Sequence, residues 1–328
     1  MHIRRLSQTK LALGSDITLA IVTDMSSVAA DCLFMELWNR IFIFEKCFSR
    51  FLLMSELTTF NRSSGIKSAI SPEFKGLLSS AKKMSIETND LYNPFITPAL
   101  QKAGYKKSAV PGYEHDDQMD YTPRRVVGIE RLEIGNAWAQ IPYGTALDMG
   151  GIGKGYLADQ LSVVLNRHSI HGYWLSLGGD IVAKGVDENG NKIRLDIQSA
   201  NNLVSTTDWI INCPEKNFAV ATSGTFRRKG QDISQKWHHI IDPETQKPAV
   251  TDIRLATVCA DTCERADVLA SCAIIMGSDK ASLFLKQHGA KSALLQCIDE
   301  KGTSFDIVFG RNIKKMKMIN PVGVFQNA

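Results

Sequence analysis

The chain lacks any apolar run long enough to cross a bilayer. A spanning helix needs about 20 predominantly apolar residues. The most apolar stretch, residues 27–49, is interrupted by Asp31, Glu36, Arg40, Glu45 and Lys46, so it reads as an amphipathic helix over 26–48. No apolar h-region follows the charged start, because Ser7, Gln8, Thr9, Lys10, Ser15 and Asp16 break it, and no small-residue-plus-Cys lipoprotein site is present. An export signal is therefore not expected. There is no CxxC. The seven cysteines (Cys32, Cys47, Cys213, Cys259, Cys263, Cys272 and Cys297) are odd in number and read as reduced, mostly buried thiols. Cys259 and Cys263 have no matching Cys/His pair, which argues against zinc. Excess charge is also lacking: 38 Lys+Arg against 34 Asp+Glu leave +4, where a nucleic-acid surface needs dense basic patches. The one tight basic run, Lys314–Lys315–Met316–Lys317, reads as a solvated tail. No internal repeat occurs.

What is present is 328 residues with 44% hydrophobic content. That excludes a disordered chain and suggests roughly two domain-sized units by length. Residues 11–23 read as strand, broken at Gly14-Ser15. Ser71-Pro72-Glu73 is a helix start, since Ser caps and Pro suits the first turn. Phe74, Leu77, Leu78, Ala81 and Met84 then recur at helical spacing. Residues 105–124 are polar and turn-rich, and read as a loop or insertion. The chain from 125 looks strand-rich, and a helix is expected from Lys154 to His168. Strands are expected at 173–177, 181–186 and 192–197, a helix near Ala266, and a closing hairpin at 291–297 and 304–309. Helices and strands mix without strict alternation, which indicates an α+β fold.

Four constellations carry chemistry. In Leu147–Asp159, Gly150, Gly151, Gly153 and Gly155 open onto a helix N-terminus. Exposed N–H groups, the helix dipole and missing Cβ atoms suit an anion, and Lys154 adds a positive charge. The segment is not a P-loop, because Gly follows Lys, and Gly153-x-Gly155-x-x-Ala158 lacks the βαβ setting of a dinucleotide fingerprint. Ser176-Leu177-Gly178-Gly179-Asp180 marks a sharp turn or a close approach. Thr222-Ser223-Gly224-Thr225 with Arg227 and Arg228 suits a phosphate or a plain hairpin. His238 and His239 on a strand point to opposite faces, so at most one serves a given site. Asp267 and Ser271 are four apart on a helix and share a face. A lone carboxylate with a hydroxyl suits Mg²⁺ bound mainly through substrate phosphates.

In this order, LDMGGIGKGYLAD (147–159), LGGDIVAKG (177–185), AVATSGTFRR (219–228), HHIIDPETQKP (238–248) and ADVLASCAIIMG (266–277) resemble the ApbE family, the FAD:protein FMN transferases. Echoes stand in LGS (13–15), FSRFLLMSELTTFN (48–61) and TNDLYNP (88–94), so the resemblance spans about 11–310. It implies a T-fold-related α+β architecture, one catalytic unit over 1–328 with FAD between two lobes. It implies a Mg²⁺-dependent transfer of FMN from FAD to a Ser/Thr hydroxyl of a target flavoprotein, with release of AMP. Some relatives hydrolyse FAD instead.

Residue by residue, the resemblance makes Asp148 and Lys154 FAD contacts. It makes the Gly151 carbonyl, Asp267 and Ser271 (where Thr is usual) the metal ligands. His239 precedes the IIDP run and is the candidate proton acceptor. Ile241 lies beside the flavin, and Phe51 stands where an aromatic covers the isoalloxazine. Leu91, Tyr92 and Asn93 fill a segment that usually ends Phe-Asp-Pro, and Leu13 replaces the Met of Met-Gly-Thr. Family acceptors resemble Asp-x-x-[Ser/Thr]-Gly-Ala-[Ser/Thr]. No Ser/Thr-Gly-Ala occurs here, so the acceptor is a separate flavoprotein. Without a recognisable export signal, the expected location is the cytoplasm.

Overall fold

The computed structural model describes residues 2–105, 127–201, 206–226, 229–231 and 236–315. Strands β1 (Arg4–Ala12) and β2 (Ser15–Thr23) form a hairpin in register from Arg4↔Thr23 to Ala12↔Ser15. Its two turn residues, Leu13 and Gly14, have φ of 54° and 67°, the left-handed pair of a type I′ turn. The expected break at 14–15 is thus a hairpin turn, and the polar start of the chain is an edge strand. Half-buried Arg4, Leu6 and Gln8 alternate there with exposed Arg5, Ser7 and Thr9.

The other strands of the two main sheets are β3 (Gly172–Leu177), β4 (Asp180–Gly185), β5 (Arg194–Gln198), β6 (Thr206–Asn212), β7 (Phe218–Gly224), β8 (Ile253–Ala260), β9 (Ser292–Ile298), β10 (Ser304–Gly310) and β11 (Ile313–Lys315). Eight of them form one antiparallel sheet in the order β1-β2-β3-β4-β7-β8-β9-β10, and β11-β6-β5 form a second, smaller one. Leu19, Leu175, Val182, Ala256 and Leu295 face a helical layer. Ala183, Phe218, Val220, Cys259 and Leu294 face Ile197, Ile211 and Ile313 of the small sheet. Cover on both faces leaves every residue of β8 except Arg254, and every residue of β9 except Ile298, buried rather than alternating.

The helices are α1 (Ser27–Phe48), α2 (Glu56–Arg62), α3 (Pro72–Glu87), α4 (Thr97–Lys102), α5 (Gly153–Leu165), α6 (Cys263–Met276) and α7 (Ser278–Gln287). Ser71 caps α3 by accepting the Phe74 N–H, with Pro72 in the first turn. Helix α6 starts three residues before Ala266, because Thr262 caps it. No helix among the described residues is long and apolar enough to cross a membrane.

Two further expectations change. After residue 126 the chain forms a 3-10 turn at Ile129–Arg131 and two short strands, Glu133–Ile134 and Trp138–Gln140, rather than long strands. The tail is not wholly solvated: Lys314 and Lys315 are exposed, but their strand pairs with β6 and Ile313 is only 4% exposed. Burying an isoleucine is worth roughly 1.5–3 kcal/mol, enough to pin the start of the tail. Residues 106–124, Met316 and Lys317 lie outside the described residues. All seven cysteines are free, Cys32 exposed, Cys47 half-buried and the rest buried. Cys259 and Cys263 sit in different clusters, one beneath the small sheet and one beneath the helices.

Candidate functional site

A cleft of ≈ 580 Å³ opens where the β1–β2 turn, the C-terminal end of α1, the glycine-rich turn before α5, the β3–β4 turn, the end of β7 and one face of α6 converge. That volume suits a small-molecule ligand. Every site residue expected from the sequence lines it: Leu13, Phe51, Leu91, Tyr92, Asn93, Asp148, Gly151, Lys154, His239, Ile241, Asp267 and Ser271.

The glycine-rich turn does two jobs. Gly150, Gly151 and Gly153 line the cleft, and the N-cap of α5, Ile152, makes no side-chain cap hydrogen bond. Gly155 instead packs inward. A Cβ on it would lie 2.5 Å from the Cys263 carbonyl oxygen and 2.7 Å from Glu264 Cα, so only glycine lets α5 and α6 approach so closely.

Lys154 points at carboxylates. Its ammonium pairs with Asp180, which begins β4 after the Gly178-Gly179 turn, and lies 3.6 Å from Asp267 Oδ2. Asp180 and Asp267 are 2% and 3% exposed. Asp267 also accepts a long 3.4 Å hydrogen bond from the Gly155 N–H. Ser271 Oγ is 2.8 Å from Ser223 Oγ of β7, and Thr222 and Thr257 pair their hydroxyls at 2.9 Å.

At the other end, Arg50 Nε lies 2.6 Å from Asp148 Oδ2. The guanidinium carbon sits 4.1 Å from the Phe51 ring centre and 4.8 Å from that of Tyr105, and Arg50 donates to the Tyr105 carbonyl. Asp148 Oδ1 accepts the Gly150 N–H, so this pair ties the aromatic wall to the glycine turn. Tyr92 packs beside Gly151 and its phenol is pushed well up by burial, with Asp148 and Asp267 adding to the rise. Asn93 is occupied in the loop itself, donating to the Val127 carbonyl and accepting the Phe95 N–H. The left-handed Leu13 is held by Glu45, which accepts its N–H at 2.8 Å.

The two histidines diverge. His238 is 3.0 Å from the Ala249 carbonyl, and burial lowers its pKa. His239 lines the cleft, its ring centre 6.3 Å from that of Tyr105. Sequence reasoning missed Arg50, Asp180 and Glu45 as parts of the site. Asp180 stood inside a recognised segment and Arg50 beside Phe51. Their roles depend on partners 26 and 98 positions away, which local pattern does not reveal.

The fold and the cleft define a class: an antiparallel α+β protein whose ligand site joins an acidic, lysine-bearing end to an aromatic one. The chain belongs to the ApbE family, which it matches over residues 13–295. The FAD:protein FMN transferase of Vibrio cholerae serotype O1 is 28% identical over 228 residues, covering 69% of this chain and 68% of that protein. The FAD:protein FMN transferase of Escherichia coli strain K12 is 22% identical over 262 residues, covering 76% and 72%. Among solved structures, the apo form of the Pseudomonas stutzeri flavinyl transferase ApbE superposes with a TM-score of 0.79 at 19% identity, covering 94% of this chain and 95% of that one. The flavin transferase ApbE from Vibrio cholerae superposes at 0.75 with 23% identity, covering 93% and 97%. At these identities the structural likeness speaks for the fold.

Proposed function

We propose that this chain is an FAD:protein FMN transferase. It moves the FMN half of FAD onto a Ser/Thr hydroxyl of an acceptor flavoprotein carrying an Asp-x-x-[Ser/Thr]-Gly-Ala-[Ser/Thr] motif, and releases AMP. Family membership and the names of the relatives support the reaction class. The observation that carries the reading here is the cleft itself: Lys154, Asp267 and Ser271 at one end, with the buried Asp180 paired to Lys154 behind them, and Arg50, Phe51 and Tyr105 at the other. A dinucleotide with a charged pyrophosphate and a planar ring system matches both ends.

The residues also fit a divalent cation. Two buried carboxylates, Asp180 and Asp267, converge on the Lys154 ammonium at this end of the cleft, and a divalent cation is the kind of group such oxygens hold. Asp267, Ser271 and the Gly151 carbonyl offer oxygen donors only, the chemistry of Mg²⁺ rather than of zinc. When bound, Mg²⁺ supplies charge neutralisation at the pyrophosphate.

The chain's own residues do the rest. The N–H groups of the glycine turn and Lys154 hold the phosphates, while Phe51 and Tyr105 cover the ring. His239 takes the proton that the acceptor hydroxyl loses as its oxygen bonds to the FMN phosphorus. The bond from that phosphorus to AMP breaks, and AMP carries away the electron pair. In this reading the whole chain is one catalytic unit acting in the cytoplasm.

The test is co-incubation with FAD, Mg²⁺ and a protein bearing the acceptor motif, followed by mass measurement. A gain of one FMN on the acceptor is expected. An unmodified acceptor with free FMN accumulating would replace the reading with an FAD pyrophosphatase.

A further inference from the structure

Asp159 lies on α5, one turn beyond Gly155, and takes no part in the chemistry above. Its two carboxylate oxygens accept the N–H groups of Cys263 and Glu264, each at 2.9 Å. Those are the first two amides of α6, which have no partner within their own helix. Thr262 Oγ1 accepts the third, from Arg265. The N-terminus of α6 is thus gripped from a neighbouring helix, one turn from the place where Gly155 brings the two backbones together.

The two helices carry opposite halves of the acidic end. Helix α5 begins with the glycine turn and Lys154, and α6 carries Asp267 and Ser271. A carboxylate bonded to two successive amides fixes both the height and the rotation of α6 against α5. A slip of one helix along the other would carry Asp267 away from Lys154 and the Gly155 N–H. Burial opposes the charge on Asp159 and pushes its pKa up to about 6.

We infer that Asp159 is a positioning residue. By clamping the N-terminus of α6 to α5, it sets the placement of Asp267 and Ser271 for the divalent cation and the phosphates. The inference rests on the proposed function for the identity of the ion, and deepens it by naming what fixes the site.

The experiment compares wild type with Asp159→Asn, which keeps the shape but turns one acceptor into a donor facing an amide. Mn²⁺ affinity is read by electron paramagnetic resonance with FAD present, FAD affinity by fluorescence in EDTA, and folding by thermal melting. About a tenfold weaker Mn²⁺ affinity is expected, with FAD affinity in EDTA within twofold of wild type. Asp159→Ser, which keeps an acceptor but is too short for two amides, falls in the same direction and guards against a folding failure of the first variant. Mn²⁺ affinity within twofold of wild type, with only the melting temperature lowered, overturns the inference. An equal loss of FAD affinity in EDTA also overturns it, since the whole cleft would then have collapsed. Absence of FMN transfer by the wild type, with the Mn²⁺ effect intact, would count against the proposed function and leave the clamp standing.

Discussion

Arg50 and Asp148 form an ion pair of 2.6 Å with side chains only 8% and 10% exposed. The pair spans the cleft wall, because the guanidinium stacks on Phe51 and Tyr105 while the carboxylate holds the Gly150 N–H. Breaking such a pair from one side leaves a buried charge uncompensated and costs about 3–5 kcal/mol. Arg50→Ala is therefore expected to lower stability by that amount in urea denaturation. The double variant Arg50→Met with Asp148→Asn recovers most of the loss, because no buried charge remains. Equal losses in the single and double variants would show that packing, and not charge, holds this wall.

Gly151 and Gly155 make opposite predictions from one motif. A methyl group at Gly155 meets backbone atoms of Cys263 and Glu264 at 2.5–2.7 Å, which rigid helices cannot yield. Gly155→Ala is expected to cost about 1–3 kcal/mol or more through forced separation of α5 and α6. At Gly151 the nearest atom, Tyr92 Cε2, is 3.4 Å away, an ordinary contact, so Gly151→Ala is expected to stay within about 0.5 kcal/mol of wild type. Chemical denaturation of the two variants side by side checks the contrast. A stable Gly155→Ala protein would mean that the close helix crossing is not needed.

Much of the site was legible because its parts are local signals. Glycines before a helix, Asp267 and Ser271 four apart on a helix, and two histidines of opposite facing all follow from short-range geometry. After Lys154, helices α5 and α6, strands β3, β4 and β5 and the β9–β10 hairpin were legible near their observed positions, whereas β6, β8 and α7 were not read. The parts that stayed hidden are tertiary. Nothing local ties Arg50 to Asp148, Lys154 to Asp180, or Asp159 to the amides of α6. Strand β1 escaped for a different reason: as an edge strand with one neighbour it buries little, so its polar, alternating residues resembled an unstructured start. Asn93 and Gly155 show the limit of motif reading, since both lie within recognised segments yet serve the loop and the helix contact.

Asp159 gives the protein a pH signature of unusual sign. Its carboxyl is raised from 3.8 to about 6 by burial, and Glu264 adds to the rise against the two N–H bonds that lower it. A carboxyl raised on folding favours the folded state when protonated. That contribution is full below about pH 4 and is lost as pH rises through about 6. Two pKa units correspond to about 3 kcal/mol. The stability of wild type relative to Asp159→Asn should therefore improve by up to about 3 kcal/mol on going from about pH 8 to about pH 4. Urea denaturation of both proteins at the two pH values measures this, and a pH-independent difference would show that Asp159 is not raised.

The neighbouring histidines separate chemistry from scaffolding. His239 lines the cleft, so His239→Ala is expected to lower FMN transfer by about 10²–10⁴-fold, the usual worth of a positioned proton acceptor. FAD affinity by fluorescence quenching should change little, because binding rests on the phosphate and ring contacts. His238 faces the other way, to the Ala249 carbonyl, and His238→Ala should cost about 1 kcal/mol of stability through that lost bond. Burial lowers the His238 pKa, so its neutral form is the folded one. Its contribution is present above the ordinary histidine range and is lost as pH falls through it. Wild type should therefore lose part of its stability advantage over His238→Ala on acidification. Full transfer by His239→Ala would remove this histidine from the reaction and send the search for the proton acceptor to the carboxylates lining the cleft.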